Sequence, residues 1–232
     1  MKAAIIAAGL GERLQCSGVP KPLVKVAGVS LIDHTLNGIR AAGLREVAVI
    51  VNEQAAAVAA HCAAITDLSL IIVQRTTPSS MESLFTLAPH LLDDAFLLLT
   101  VDAIVAPAAV RDFTNRSRRR ADADGVLAVN TFIDDEKPLR VTCDAGGRIT
   151  AIGDAAEKSP LITAGFYVFH PRIFAEIAAA RAAHFTALRQ FLAHLGARGY
   201  RLFGERVPKS VDVDRPEDIA TAEAFIRSGY TA

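Results

Sequence analysis

The chain has 232 residues, 51% hydrophobic and 22% charged, which is enough apolar content for a full core and argues against disorder. Its 25 basic residues balance its 25 acidic ones, so no large electrostatic footprint for nucleic acid or an anionic membrane is expected. The single basic run, Arg116 to Arg120 around Ser117, reads as a solvated helix face.

In chain order, Lys2 to Ala7 is a short apolar run ending at glycines, as a buried parallel strand does. The periodicity predicts a helix over Leu31 to Ala42, with Gly43 at its carboxyl cap. Glu46 to Val51 is a second strand, Gln54 to Ala64 a helix, and Leu68 to Val73 a third strand. A serine-capped helix follows over Ser79 to Leu92. Phe96 to Val101 is a fourth strand, which runs into Asp102, and Pro107 opens a helix at a favoured position. This alternation argues for a parallel sheet covered on both faces.

After about residue 125 the pattern changes. Val126 to Thr131 and Arg140 to Cys143 read as strands, Asp144 to Gly147 as a hairpin turn, and Arg148 to Ile152 as the returning strand. Ile162 to Phe169 is another strand, with helices over Pro171 to Ala182, Ala187 to Ala197 and Ile219 to Ile226. No repeat or linker is visible. One domain over 1–232 is expected, with a parallel half to residue 125 and a mixed half beyond it.

Cys16, Cys62 and Cys143 are odd in number and scattered, and the six histidines lack paired spacing. Neither a disulfide framework nor a zinc site is expected, and a cytoplasmic setting fits. No run reaches the ~18 apolar residues of a membrane span. The amino-terminal apolar run meets Gly and charge at once, so it reads as a strand rather than a signal peptide.

The first strand leads into Ala7-Ala8-Gly9-Leu10-Gly11-Glu12-Arg13-Leu14. Glycines there let a backbone approach a ligand, and successive N–H groups can cradle an anion. A dinucleotide fingerprint would need a small residue where Leu14 stands, and no Lys-Ser/Thr pair completes a P-loop. Cations follow instead: Arg13, then Lys21 within Val19-Pro20-Lys21-Pro22-Leu23, then Lys25. The prolines hold Lys21 extended, on a loop outside the expected core. Such cations suit a triphosphate under attack at its α-phosphorus.

Asp102 ends a strand too apolar to carry a charge earlier, at the sheet edge where ligands bind in such folds. Asp212 and Asp214 flank Val213 in an extended segment, so both carboxylates share one face. Hard oxygen donors of this kind suit Mg²⁺.

The segments AAGLGERL and PKPLVKVAG, followed by the apolar helix from Leu31, resemble the opening signature of the sugar-phosphate nucleotidyltransferases. The resemblance implies a GT-A-like three-layer α/β/α sandwich with a mostly parallel mixed sheet. It also implies NTP binding at Ala7, Ala8, Gly9 and Gly11, with Arg13 and Lys21 on the phosphates. Asp102 and Asp212 would hold Mg²⁺, with Asp214 the fallback; Val101 stands where the family usually has glycine. Glu157, Lys158 and Gly165 match an acceptor segment, and Ser79 and Ser80 occupy the region that reads the base. The short loop between Arg13 and Lys21, the serines and Val-Asp-Val-Asp look like small cytidylyltransferases acting on inositol phosphate or phosphocholine, so CTP is favoured, with UTP the alternative.

The expected reaction is therefore Mg²⁺-dependent transfer of NMP from NTP to a small phosphorylated acceptor, with pyrophosphate leaving. A molybdopterin-like acceptor, or a nucleotide-binding regulatory subunit without chemistry, are the alternatives.

Overall fold

A computed structural model describes residues 1–9, 11–14, 18–132 and 138–231. Leu10 of the glycine loop and Cys16 lie outside the described residues.

One seven-stranded sheet draws on both halves of the chain. Its strands are β1 (Lys2–Ala7), β2 (Glu46–Val51), β3 (Ser69–Gln74), β4 (Phe96–Thr100), β5 (Gly125–Asn130), β6 (Ile162–Phe169) and β7 (Leu202–Arg206). Across the sheet the order is β7-β5-β6-β4-β1-β2-β3. β1 pairs in parallel with β2 and β4, and β2 with β3. β6 runs antiparallel between β4 and β5, and β7 lies parallel to β5.

The helices are α1 (Leu31–Ala41), α2 (Ala56–Ala63), α3 (Ser80–Leu87), α4 (Pro107–Ser117), α5 (Ile177–Ala182), α6 (Leu188–Ala197) and α7 (Pro216–Arg227). Two cores lie on opposite faces of the sheet, and β1 feeds both because side chains alternate along a strand. Ala3, Ile5 and Ala7 pack with α1, α2, α4 and α7, while Ala4, Ile6 and Ala8 pack with α3, α5 and α6. This is the expected sandwich with a mostly parallel mixed sheet.

Several boundaries differ for local reasons. The expected helix from Gln54 starts at Ala56, because the Gln54 amide is held in a turn by the Asn52 side chain (2.9 Å). The expected helix to Leu92 ends at Leu87 and continues as a tight 3-10 turn, Ala88–His90, where Pro89 removes an amide. Pro171–Glu176 is likewise a 3-10 turn before α5. α7 starts three residues early, at Pro216, since Asp218 accepts from the Arg215 amide (2.7 Å) and closes the first turn.

The basic run is not simply a solvated face. Arg116 reaches Glu205 (2.7 Å) and the Arg206 carbonyl (3.0 Å), and Arg120 lies 4.4 Å over the Phe203 ring. The run thus docks α4 on β7, a strand whose glycine and charges hid it from a reading of hydrophobic pattern. No helix among the described residues is long and apolar enough to cross a membrane.

Candidate active site

The carboxyl ends of β1, β2 and β4 open at one edge, and the chain leaves β1 through Ala8 and Gly9. Gly11 has φ +63°, a conformation glycine adopts without strain, and a Cβ there would sit 2.5 Å from the Lys21 Cβ. The loop and the lysine segment therefore pack against each other only because position 11 has no side chain. Leu14, where a dinucleotide fold would want a small residue, is buried in the core.

A cross-connection brings the distant carboxylates in. Ala103–Ile104 pairs antiparallel with Val211–Asp212, and the Val213 amide donates to the Asp102 carbonyl (3.0 Å). Lys21 Nζ then bridges two aspartates, donating to Asp214 Oδ1 at 2.6 Å and Asp102 Oδ2 at 3.0 Å. Arg13 donates to the other Asp214 oxygen, Oδ2, at 3.0 Å. The Lys21 side chain is 10% exposed, against 32% for Asp102 and 34% for Asp214.

The charges support one another. Burial pushes the Lys21 ammonium down, but the charges of Asp102 and Asp214 and their hydrogen bonds outweigh it and hold its pKa above the ordinary lysine value. Burial likewise pushes Asp102 up, and the Lys21 charge and hydrogen bond, with the Thr100 hydroxyl nearby, leave it below the usual carboxylate value.

Two cavities meet here. The larger, about 900 Å³, is lined by Ala7, Gly9, Gly11, Arg13, Lys21, Ser79 and the segment from Thr76. The smaller, about 240 Å³, is lined by Thr163, Gly165, Tyr167, Arg189, Ser210 and Asp212, with apolar residues that include Phe132 and Leu192. Ser80, Thr100, Asp102 and Asp214 form walls of both.

Of the residues expected from sequence, Ala7, Gly9, Gly11, Arg13, Lys21, Ser79, Ser80, Gly165, Asp102 and Asp212 line one cavity or the other. Ala8 is buried behind the loop, outside both linings. Ser79 caps α3, its hydroxyl accepting from the Glu82 amide (3.2 Å). Gly165 has φ +80°, and a Cβ there would press on Ala103 and Thr100 at 3.1 Å. Glu157 and Lys158 follow the 3-10 turn Gly153–Ala156, are exposed, and line neither cavity.

Tyr167 and Arg189 were not singled out in the sequence. Both line the smaller cavity with Asp102 and Asp212; burial pushes the Tyr167 hydroxyl up to about 12, and the charges of Asp212 and Asp102 add to it. Asn52 was also missed, although it stands immediately beyond a strand at the ligand-binding edge.

A three-layer sandwich with a glycine loop, a lysine and carboxylates gathered at one sheet edge is the architecture of a nucleotidyltransferase. Residues 3–202 match the MobA-like NTP transferase domain, and the chain belongs to that family. It is 34% identical over 171 residues to the bifunctional IPC transferase and DIPP synthase of Rubrobacter xylanophilus, covering 72% of this chain and 38% of that protein. It is 31% identical over 159 residues to the CMP-5'-(3-aminopropyl)phosphonate synthase of Streptomyces rubellomurinus, covering 59% of this chain and 25% of that one. The chain thus spans well under half the length of these curated relatives. Among solved structures, the inositol-1-phosphate CTP transferase from T. maritima has a TM-score of 0.84 at 18% identity, over 100% of this chain and 98% of that one. That likeness is one of fold, the GT-A-like α/β fold expected from the opening motif.

Proposed function

We propose that the chain transfers a nucleoside monophosphate from an NTP to a small phosphorylated acceptor, releasing pyrophosphate. The observation that carries this reading is that two cavities share Thr100, Asp102 and Asp214, with Lys21 between the carboxylates. The larger cavity, with the glycine loop, Arg13 and Lys21, suits the NTP. The smaller one suits a compact acceptor, and Arg189 is the one cationic side chain among its described lining residues. We therefore assign the acceptor phosphate to Arg189 in place of Lys158, and give Glu157 no contact. CTP is the favoured donor, with UTP next, because relatives in sequence and in fold are named for CTP or CMP chemistry.

The donor set fits Mg²⁺. It is all carboxylate oxygen, and no ready-made cluster of three or more acidic, histidine or cysteine side chains occurs among the described residues. A cation that takes one or two carboxylates and fills its shell with water and phosphate needs no more. Asp102 and Asp212 are assigned as its ligands, as the resemblance implies, with Asp214, which Arg13 and Lys21 hold here, as the fallback. Bound there, Mg²⁺ would neutralise charge on the phosphates.

Lys21 is held ready by its two carboxylates and turns to the phosphates as an alternative anion. The acceptor's phosphate oxygen is already anionic and needs no general base. It bonds to the α-phosphorus as the bond to the bridging oxygen breaks, and pyrophosphate leaves with that electron pair. Lys21 is kept protonated by two acidic neighbours and so is no nucleophile, which makes direct displacement the reading. The test is pyrophosphate release with CTP, UTP, ATP, GTP and dTTP against inositol 1-phosphate, phosphocholine, sugar 1-phosphates and a molybdopterin. Release should require acceptor, stop with EDTA and return with Mg²⁺. NTP binding without release from any pair would leave a nucleotide-binding regulatory protein; pyrophosphate exchange into NTP without acceptor would show a covalent intermediate.

A further inference from the structure

We propose that Asn52 is a positioning residue for the nucleotide: its side chain fixes the peptide between Ala8 and Gly9 so that the Gly9 amide faces the larger cavity. The proposal rests on the nucleotidyltransferase reading above. Asn52 is 4% exposed and lies directly after β2. The parallel ladder between β1 and β2 ends at the pair Ala7 and Val51, so the Ala8 carbonyl is beyond its reach. Asn52 Nδ2 donates to that carbonyl at 3.0 Å. Its Oδ1 accepts from the Gln54 amide at 2.9 Å and from the Thr76 hydroxyl at 3.3 Å. One buried amide thus ties together the chain leaving β1, the turn after β2 and the segment after β3.

The consequence follows from peptide geometry. In a trans peptide the C=O and N–H point in opposite directions. A carbonyl held toward β2 turns the next amide away from β2, toward the side where β4 ends in Thr100 and Asp102. Among the described residues nothing crowds that position: a Cβ built on Gly9 meets no atom within 4 Å. The Gly9 N–H is therefore a preset donor for an anionic or carbonyl oxygen of the NTP. Asparagine is required because the bond to Ala8 needs a donor and the bonds from Gln54 and Thr76 need an acceptor.

Asn52→Asp keeps the acceptor, loses the donor and hardly changes shape. The KM for NTP is expected to rise about tenfold, the scale of one hydrogen bond, while the KM for acceptor stays within twofold. A protonated aspartic acid can donate again, so the NTP affinity of Asn52→Asp should recover toward wild type as pH falls, on a profile wild type does not share. Asn52→Ser removes the same bond without charge and should show the same split if the aspartate variant does not fold. A wild-type KM for NTP in both variants, or equal losses for NTP and acceptor, would overturn the proposal. Wild-type protein that binds none of CTP, UTP, ATP, GTP or dTTP by calorimetry would instead overturn the nucleotidyltransferase reading itself.

Discussion

At the scale of single residues, the two glycines of the loop differ in kind. Gly11 is required by the fold itself, through its positive φ and the Lys21 Cβ beside it. Among the described residues nothing lies within 4 Å of a Cβ built on Gly9, and on the proposed reading the reason for a glycine there is the NTP. Gly9→Ala should therefore melt within about 2 °C of wild type, as surface changes away from special features do, yet bind NTP distinctly more weakly. Calorimetric titration and a thermal scan on one preparation test this; unchanged affinity would refute it. Lys21 is not extended as its flanking prolines imply: it opens the 3-10 turn Lys21–Leu23, and its side chain is nearly buried between Asp102 and Asp214. Lys21→Ala should lower turnover by about 10² or more, the scale of losing one such donor. It should also cost stability, roughly 1–3 kcal/mol, because two half-buried carboxylates are left facing each other; urea unfolding would show it. Gly9, Gly11 and Asp102 were legible because each follows closely on a strand, where sequence order fixes spatial order, and Lys21 because prolines flank it in the opening motif. Arg189 was not, because only the packing of α6 against the sheet turns it toward the smaller cavity.

At the scale of elements, strands buried on both faces announced themselves: β2 and β6 have the bounds their composition predicts. Where pattern failed, a local bond or a partner decided, as with Pro89 after α3 and with β7, whose register is set by β5. The packing of α3 also contains a pH-sensitive link. Arg181, next to the end of α5, holds Glu82 of α3 through Nε at 2.9 Å and a terminal guanidinium nitrogen at 2.7 Å. The hydrogen bonds from Arg181 hold the Glu82 carboxyl below its ordinary value of 4.5, against burial and with help from the Arg181 and Arg75 charges. A depressed carboxylate contributes its stability fully above that ordinary value and loses it as pH falls through the lower folded one. Glu82→Gln should therefore cost about 0.3–1 kcal/mol at pH 7, discounted because Arg181 is largely exposed. The difference from wild type should shrink toward zero as pH falls below 4.5 and through the lowered folded value. A gap in urea unfolding that does not change with pH would show that Glu82 acts by packing alone.

At the scale of the molecule, the parallel half and the mixed half are joined by a hydrogen-bonded seam. β6 pairs with β4 from Phe166 opposite Leu99 to Phe169 opposite Phe96, and on its other side with β5. Amides along this seam should exchange with deuterium as slowly as those of β1, with or without NTP. Faster exchange at Leu97 to Leu99 than in β1 would mean that the halves open independently. Thr100 ends β4 and forms a wall of both cavities, and its hydroxyl donates to the Gly165 carbonyl of β6 (3.3 Å). On the proposed reading, donor and acceptor would sit against neighbouring strands whose separation the sheet sets at about 4.8 Å. The fold would then act as a ruler rather than a hinge. Choice among acceptors then becomes a question of reach. A molecule whose phosphate hangs one bond too far from its ring can be bound in full and still hold its oxygen out of line with the phosphorus.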